Sequence, residues 1–410
     1  MLSAQEIIDY KKDYFFPNAM HFYKNPPHIT RGEGKYLYDD SGKRYLDFFA
    51  GVTVVNCGHC NPEINAKVKA QLDQLQHTSI IYLTEPSVLL AKKLSHILPG
   101  DIQHTFFCCS GTEANEGALL LARLHTGKKG FISFEGGLHG RSALTMSVTG
   151  IPMWRIDPFL DPDVYFAKGF GGDETRSEDS LKSVEAILKE HGHEIAACIV
   201  EPIQGNGGIN IPSKIFFKKL KSLLSKYDVL LIADEVQTGF ARTGKMFAVE
   251  HFEVIPDILT GAKALGNGVP VGFFSATPAV AASFNKPSAS TLGGNPVSMN
   301  AGLAVIDFIE EHNLINKTAS LGEYMLQKLK ELESNYDAVI STRGLGLMLG
   351  MTLETPEKVD ILLEKAKDSG FIVGKNGMNR DVVAFQPPLI IEREDIDNLI
   401  DCLHDILRDL

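Results

Sequence analysis

Residues 228–234 read Asp228-Val-Leu-Leu-Ile-Ala-Asp234, and residues 259–268 read Leu259-Thr-Gly-Ala-Lys-Ala-Leu-Gly-Asn-Gly268. The first run is continuously apolar between two acids, which is typical of a strand covered on both faces. Asp234 ends that run, and Lys263 follows in a glycine-rich turn. Such a pair can hold pyridoxal phosphate, because the lysine forms an imine with the aldehyde and the carboxylate keeps the pyridine nitrogen protonated.

Each of these two residues also has an ordinary explanation, since a loop lysine is usually solvated and an aspartate often forms turns or caps helices. The interpretation therefore needs a third element, a site for the cofactor phosphate. Residues 104–109 form an apolar strand candidate that leads into the turn Ser110-Gly111-Thr112. A helix rich in Ala and Leu follows, and the free amides at its start can bind a phosphate. The alternative, an ordinary helix cap at Ser110 or Thr112, stays open at this point.

Short apolar runs alternate with helix-length amphipathic segments through the middle of the chain. The runs cover residues 104–109, 131–134, 196–200, 229–233 and 271–275. Continuous rather than alternating hydrophobicity predicts a mainly parallel sheet with helices on both faces. We therefore predict an α/β fold with a large cofactor-binding domain at residues 51–296.

Both ends of the chain have a different pattern. Two strand candidates flank an Asp-Asp-Ser-Gly turn at residues 39–42, and further candidates lie near 347–353 and 382–385 before a final helix from Arg393. We predict that residues 1–50 and 297–410 pack together as one smaller α+β domain.

Composition excludes several classes of function. The formal net charge of the 410 residues is -11, which argues against a nucleic-acid surface. The first twenty residues lack the pattern of a signal peptide, and no apolar run approaches the ~20 residues that span a bilayer. Six cysteines in a chain of this length favour a reducing compartment, and a single Cys57-Gly-His-Cys60 motif supplies too few ligands for zinc. We expect a cytoplasmic protein that acts on small molecules, without a metal site or a membrane partner.

Further segments follow one order along most of the chain: Gly58-His59 with Pro62, Ser110-Gly-Thr-Glu-Ala-Asn115, His139-Gly-Arg141, Glu201-Pro-Ile-Gln-Gly205, Asp234-Glu-Val-Gln-Thr-Gly-Phe-Ala-Arg-Thr-Gly244, Lys263, Gly293-Gly-Asn-Pro296 and Arg343-Gly-Leu-Gly346. In these segments the chain resembles the class III aminotransferases, the ornithine, acetylornithine, 4-aminobutyrate and alanine–glyoxylate group of fold type I pyridoxal-phosphate enzymes. The resemblance implies a fold type I transferase.

The resemblance also implies a role for each matching residue. Lys263 becomes the Schiff-base lysine and proton shuttle, and Asp234 the partner of the pyridine nitrogen. Gly111 and Thr112 are implied to hold the phosphate. Val236 is implied to lie under the ring, Gln237 to bond the ring hydroxyl, and Thr291 to reach the phosphate of the neighbouring subunit. The other residues implied to contact or flank the cofactor are Ser110, Leu138, His139 and Glu201.

Two consequences for assembly and reaction follow from the same resemblance. A homodimer with shared active sites is expected, because part of each cofactor site comes from the partner. The reaction is expected to be a two-stage exchange, in which an amino donor converts pyridoxal phosphate to pyridoxamine phosphate and a keto acid reverses the steps.

Three positions depart from the family pattern. Leu138 stands where an aromatic ring usually stacks on the cofactor. Ala384 stands where many members have an arginine that binds the substrate carboxylate. Asn206 stands where several members have a glutamate that pairs with that arginine. Loss of both partners is physically coherent, because either one alone leaves a buried charge unpaired.

These departures bear on the substrate. We expect no switch between ornithine-like and glutamate-like substrates, and we favour pyruvate or glyoxylate as the keto acid. The alternative is an amino-acid racemase or epimerase on the same scaffold, because a site without the carboxylate fork suits a substrate that is approached from both faces.

Overall fold

A computed structural model describes residues 2–18 and 21–410 of the protein. The strands are β1 (Ile29–Glu33), β2 (Tyr36–Asp39), β3 (Arg44–Asp47), β4 (His104–Cys108), β5 (Gly130–Phe134), β6 (Val164–Ala167), β7 (Ile195–Val200), β8 (Leu230–Asp234), β9 (Ile258–Gly261), β10 (Gly272–Ala276), β11 (Val339–Leu345), β12 (Met348–Leu353), β13 (Phe371–Ile372), β14 (Gly374–Asn376) and β15 (Val382–Phe385). Residues 1, 19 and 20, which fall in the stretch considered for a signal peptide, lie outside the described residues.

The helices separate these strands along most of the chain. They are α1 (Ala4–Tyr14), α2 (Ala50–Thr53), α3 (Pro62–Gln74), α4 (Glu85–Ile97), α5 (Gly111–Thr126), α6 (Ala143–Ser147), α7 (Glu174–His191), α8 (Phe216–Ser225), α9 (Pro278–Ala281), α10 (Pro296–Glu311), α11 (Leu314–Asn335), α12 (Pro356–Asp368) and α13 (Arg393–Leu407).

A seven-stranded sheet forms the centre of the molecule, in the order β4-β10-β9-β8-β7-β5-β6. Six strands run in one direction, and β10 runs antiparallel to its neighbours β4 and β9. Successive residues of β8 point to opposite faces, so that Leu231 packs in one hydrophobic cluster with Leu220 of α8 while Ile232 packs in another with Leu119 of α5. The prediction of a mainly parallel sheet between two layers of helices is confirmed.

The two ends of the chain form two smaller sheets, and one of these sheets combines strands from both ends. One has the order β1-β2-β3-β13, and its strand β13 from the C-terminal part pairs in parallel with β3, where Phe371 lies opposite Leu46. The other has the order β11-β12-β15-β14. An ion pair of 2.6 Å between Lys35 and Asp395 also links the N-terminal sheet to α13. Segments from both ends of the chain therefore share one sheet, and the single smaller α+β domain stays a prediction.

The domain limits at residues 50 and 296 stay a prediction. Helix α10 begins at Pro296 and packs against α4 of the large unit so closely that a methyl group on Gly302 would lie 2.8 Å from Leu90. Among the described residues no helix combines the length and the apolarity that crossing a bilayer requires. The six cysteines are free thiols.

Glu235 is a buried carboxylate directly after β8. Its oxygens accept hydrogen bonds from the Val249 amide at 2.8 Å and from the Thr238 hydroxyl. Burial raises the pKa of Glu235 from its ordinary 4.5 to about 7, although these hydrogen bonds oppose the rise. Between these two pH values the folded chain binds more protons than the unfolded chain, so the free energy of unfolding falls as the pH rises.

We expect Glu235→Gln to remove this contribution to the pH dependence. The contribution is a loss of about 3 kcal/mol in the free energy of unfolding across the interval, because each unit of pKa shift corresponds to ~1.36 kcal/mol. Urea unfolding of the protein without cofactor, measured between pH 4.5 and pH 7, gives the slope for the parent and the variant. The parent should lose more stability across this interval than the variant. Equal slopes would show that Glu235 does not titrate there.

Candidate active site

A cavity of about 360 Å³ lies at the carboxyl ends of β4, β8 and β9. This edge of an open α/β sheet is where ligands commonly bind. Its lining includes eight of the residues predicted from the sequence, Ser110, Gly111, Thr112, Leu138, His139, Asp234, Val236 and Lys263, together with Val54, Cys109, Asn115, Gly140, Ala262, Gly268, Val269, Pro270 and Val271. The structure thus brings the three elements of the predicted cofactor site into one cavity.

The start of α5 forms one end of the cavity. Ser110 is the helix cap, because its hydroxyl accepts a hydrogen bond from the Glu113 amide at 3.2 Å. The next residue, Gly111, lies so close to Val236 that a methyl group there would come within 2.7 Å of the valine side chain. Ser110 therefore has the capping role left open by the sequence, and the amides beyond it face the cavity at the positive end of the helix dipole.

Asp234 is held rigidly at the opposite side. Its Oδ2 accepts hydrogen bonds from Asn115 Nδ2 at 2.8 Å and from His139 Nδ1 at 2.7 Å, while Oδ1 accepts from the Val236 amide at 3.1 Å. Asn115 is itself oriented by Thr260, whose hydroxyl donates to Asn115 Oδ1 at 2.7 Å. Because these three hydrogen bonds fix the position of the carboxylate, Asp234 can accept a hydrogen bond from a protonated ring nitrogen.

Lys263 directly follows the turn after β9. Its backbone has a φ of 45°, a left-handed conformation that is uncommon for residues other than glycine. Burial lowers the pKa of Lys263, and the negative charges of Asp234 and Glu201 oppose that change. A lowered pKa increases the fraction of free amine at neutral pH, which is the form that attacks an aldehyde.

Glu201 and Gln237 lie behind the residues that line the cavity. Glu201 Oε1 accepts from the Leu138 amide at 2.8 Å, and burial raises the pKa of this carboxyl to about 7. Both polar atoms of the Gln237 side chain and His139 Nε2 are buried without a hydrogen-bond partner among the described residues. Buried polar atoms are normally paired, so these three atoms fit a polar ligand such as a hydroxypyridine with its phosphate.

Thr291 is the one predicted site residue that the structure places on the surface. Its side chain is exposed, and it does not line the cavity of its own chain. The contact of Thr291 with the cofactor phosphate of a neighbouring subunit stays a prediction.

Asn115 and Thr260 are site residues to which the sequence analysis gave no role. Asn115 lies four residues after Gly111 on α5, and residues at this spacing share one face of a helix. The helical period therefore offered a signal for Asn115. Thr260 carried no such signal, because its short strand β9 was read as part of the glycine-rich turn.

The mainly parallel sheet and the cavity at its edge define a pyridoxal-phosphate-dependent enzyme of fold type I. Comparison with known families agrees, since the model of the family "Aminotransferase class-III" matches residues 20–407. The chain belongs to the class III aminotransferases.

Individual relatives span nearly the whole chain. A mitochondrial alanine–glyoxylate aminotransferase 2 homolog of Arabidopsis thaliana is 38% identical and covers 98% of this chain and 87% of its own. The acetylornithine aminotransferase of Methanocaldococcus jannaschii is also 38% identical, over 100% of both chains. The crystal structure of an (S)-enantioselective omega-transaminase from Thermomicrobium roseum matches with a TM-score of 0.91 at 30% identity, over 100% of this chain and 99% of its own.

Proposed function

We propose that this aminotransferase moves an amino group from an amino acid or amine to pyruvate or glyoxylate. The bound cofactor supplies an electron-accepting ring that stabilises negative charge at the donor carbon. In this proposal Lys263 binds the cofactor aldehyde and moves the proton, and Asp234 holds the proton on the ring nitrogen. Gly111 and Thr112 bind the phosphate.

The observation that carries the substrate proposal is the environment of Ala384. This residue is fully buried on β15, between Gly350 of β12 and Gly374 of β14. Because directly opposed residues project from the same face of a sheet, Ala384 and Gly374 share one face. The Phe49 ring packs on that face, since a methyl group at Gly374 would lie 2.1 Å from it. The surroundings of Ala384 on this face are therefore apolar, which supports a site without the carboxylate-binding arginine that the resemblance implies for this position.

The nearby Arg380 does not replace that arginine. Its guanidinium lies over the Phe22 ring, 5.6 Å from the ring centre. Asn206, the other departure, has an uncharged side chain, and its backbone carbonyl oxygen accepts a hydrogen bond from the Gly377 amide at 3.0 Å. A small substrate such as alanine, which has one carboxylate and no charged side chain, suits this site better than glutamate.

The experiment compares alanine with glutamate as amino donors. Purified enzyme with bound cofactor is mixed with each, and the cofactor absorbance is followed within a single turnover. We expect fast conversion by alanine and slow conversion by glutamate. Fast conversion by glutamate with none by alanine would contradict the proposal, and a panel of pyruvate, glyoxylate and 2-oxoglutarate then identifies the acceptor.

The racemase alternative is an outcome of the same assay carried out in deuterium oxide. A racemase exchanges the substrate α-hydrogen with solvent and loses optical rotation without forming a keto acid. Formation of a keto acid in step with the loss of the donor supports transamination instead.

We also propose that the enzyme is a homodimer that works in the cytoplasm. Support for the dimer comes from surface apolar residues that a second copy can cover, above all Ile81, Leu83 and Phe159, which are 75%, 101% and 89% exposed. The exposed position of Thr291 fits a contact with the partner's cofactor phosphate. The six free cysteines support the compartment.

Thr291→Ala should weaken cofactor binding about tenfold, because one hydrogen bond to a charged group is lost. If Thr291 acts across the dimer, mixing Thr291→Ala with Lys263→Ala chains should restore tight binding at one site of each mixed dimer. The mixture is dissociated and reassociated, and cofactor affinity is then titrated. Binding no tighter than in the unmixed Thr291→Ala protein would argue against a shared site.

A further inference from the structure

Glu201 lies just after β7 and is buried behind the wall of the cavity. Its Oε1 accepts a hydrogen bond from the Leu138 amide at 2.8 Å, and its Oε2 accepts one from the Gly205 amide at 2.9 Å. The two amides belong to different loops, one after β5 and the other after β7. A single carboxylate therefore joins both loops.

Each of these loops fixes a different part of the cavity. Leu138 is itself a lining residue. Gly205 packs against Gln237 so closely that a methyl group on Gly205 would lie 1.4 Å from Gln237 Oε1. The Gln237 amide thus fills the space beside Gly205, and any shift of this loop moves the surface that supports Gln237.

The charged groups that act on Glu201 are those of the site itself. Burial raises its pKa to about 7, while the charge of His139 opposes that rise and the charge of Asp234 adds to it. Lys263 also interacts with the Glu201 charge. When the carboxyl binds a proton, the oxygen that carries it becomes a poor acceptor, so one of the two amide bonds weakens.

We propose that Glu201 is a positioning residue whose ionised carboxylate holds Leu138 and Gln237 in the arrangement that the cofactor requires. The proposal rests on the proposed function, because it assumes that pyridoxal phosphate occupies the cavity. Glu201→Gln is the informative change, since the amide keeps one acceptor oxygen but turns an NH₂ group toward the second backbone N–H.

Amide hydrogen exchange of the protein without cofactor tests the two contacts directly. In Glu201→Gln we expect protection of the Leu138 or the Gly205 amide to fall about tenfold or more, as the loss of a charge-assisted hydrogen bond implies. Glu235→Gln is the matched control, because Glu235 is also a buried acid with a pKa raised to about 7 but accepts from the Val249 amide. That control should reduce protection at Val249 and at the neighbouring Ala248, whose amides bond Glu235, and should leave Leu138 and Gly205 unchanged.

The parent protein gives a second readout that needs no variant to fold. Its protection at Leu138 and Gly205, corrected for the intrinsic exchange rate, should fall as the pH decreases through about 7. Glu201→Asp, which keeps two acceptor oxygens on a shorter side chain, should retain more protection than Glu201→Gln. Unchanged protection in Glu201→Gln and no pH effect in the parent would overturn the proposal.

Cofactor binding separates this proposal from the proposed function. With pyridoxal phosphate added, Glu201→Gln should bind more weakly and show an altered circular dichroism of the cofactor band, because the ring sits differently in the cavity. If Glu201→Gln shows the parental dichroism and the parental affinity for the cofactor, the positioning role of Glu201 is contradicted. The proposed function as an aminotransferase is not affected by that result. Failure of the parent protein to bind pyridoxal phosphate would contradict the function, whatever the exchange data show.

Discussion

Lys263→Ala should lower turnover on the order of ten-thousandfold and remove the covalent link to the cofactor. The expected loss is large because the proposal gives one amine two tasks, which are to bond the aldehyde and to move the proton during each half of the exchange. The phosphate contacts proposed for Gly111 and Thr112 do not depend on this lysine, so the variant should still bind pyridoxal phosphate noncovalently. Rapid-quench turnover and the visible spectrum of the cofactor measure both effects.

A matched control for this change is Lys330→Ala, which removes an exposed lysine from the surface of α11. Its turnover and spectrum should equal those of the parent. Turnover by Lys263→Ala at the parental rate would show that another base does the chemistry and would remove the basis of the proposed function.

Asp234→Asn should lower turnover on the order of a hundredfold to a thousandfold while leaving the bond to Lys263 intact. The asparagine cannot hold a proton on the ring nitrogen as a charged partner does. Its amide also has to present an oxygen to Asn115 and His139, which leaves its NH₂ group facing the Val236 amide. The ring nitrogen should therefore lose its proton.

The ¹⁵N signal of labelled pyridoxal phosphate reports the protonation of the ring nitrogen directly. We expect the signal of a protonated ring in the parent and of an unprotonated ring in Asp234→Asn. Glu235→Gln, which changes the adjacent buried acid, should keep the parental signal. A protonated ring in Asp234→Asn would mean that another group holds the proton.

The large sheet was predictable because its strands are apolar on both faces. The runs predicted at 196–200 and 229–233 appear as β7 and β8 within one residue at each end. Strands β6 and β9 were missed for different physical reasons. The residues of β6 are mostly half-buried at the edge of the sheet, so their pattern is weak, while β9 has four residues and ends in glycine.

The site was predictable where chemistry restricts the residue type. An imine needs a lysine and a ring nitrogen needs a carboxylate, so Lys263 and Asp234 could be found from the sequence. Asn115 orients Asp234 from 119 positions away in the chain, and only the folded structure brings them together. The same holds for Glu201, because the sequence suggested an acid near the site but not the two backbone amides that it joins.

Ala384 shows a further limit of the sequence. Its identity indicated that an arginine is missing, and the structure adds that Phe49 packs on the adjoining Gly374, where a methyl group would lie 2.1 Å from the ring. Packing between distant segments of the chain decides this point.

The most direct test of the account is to locate the lysine that binds the cofactor. The protein is incubated with pyridoxal phosphate, the imine is reduced with borohydride, and the peptides are sequenced by mass spectrometry. We predict one stoichiometric phosphopyridoxyl group on Lys263 and none in Lys263→Ala. A group on another lysine, or no labelling of the parent, would contradict the assignment of this cavity as the cofactor site.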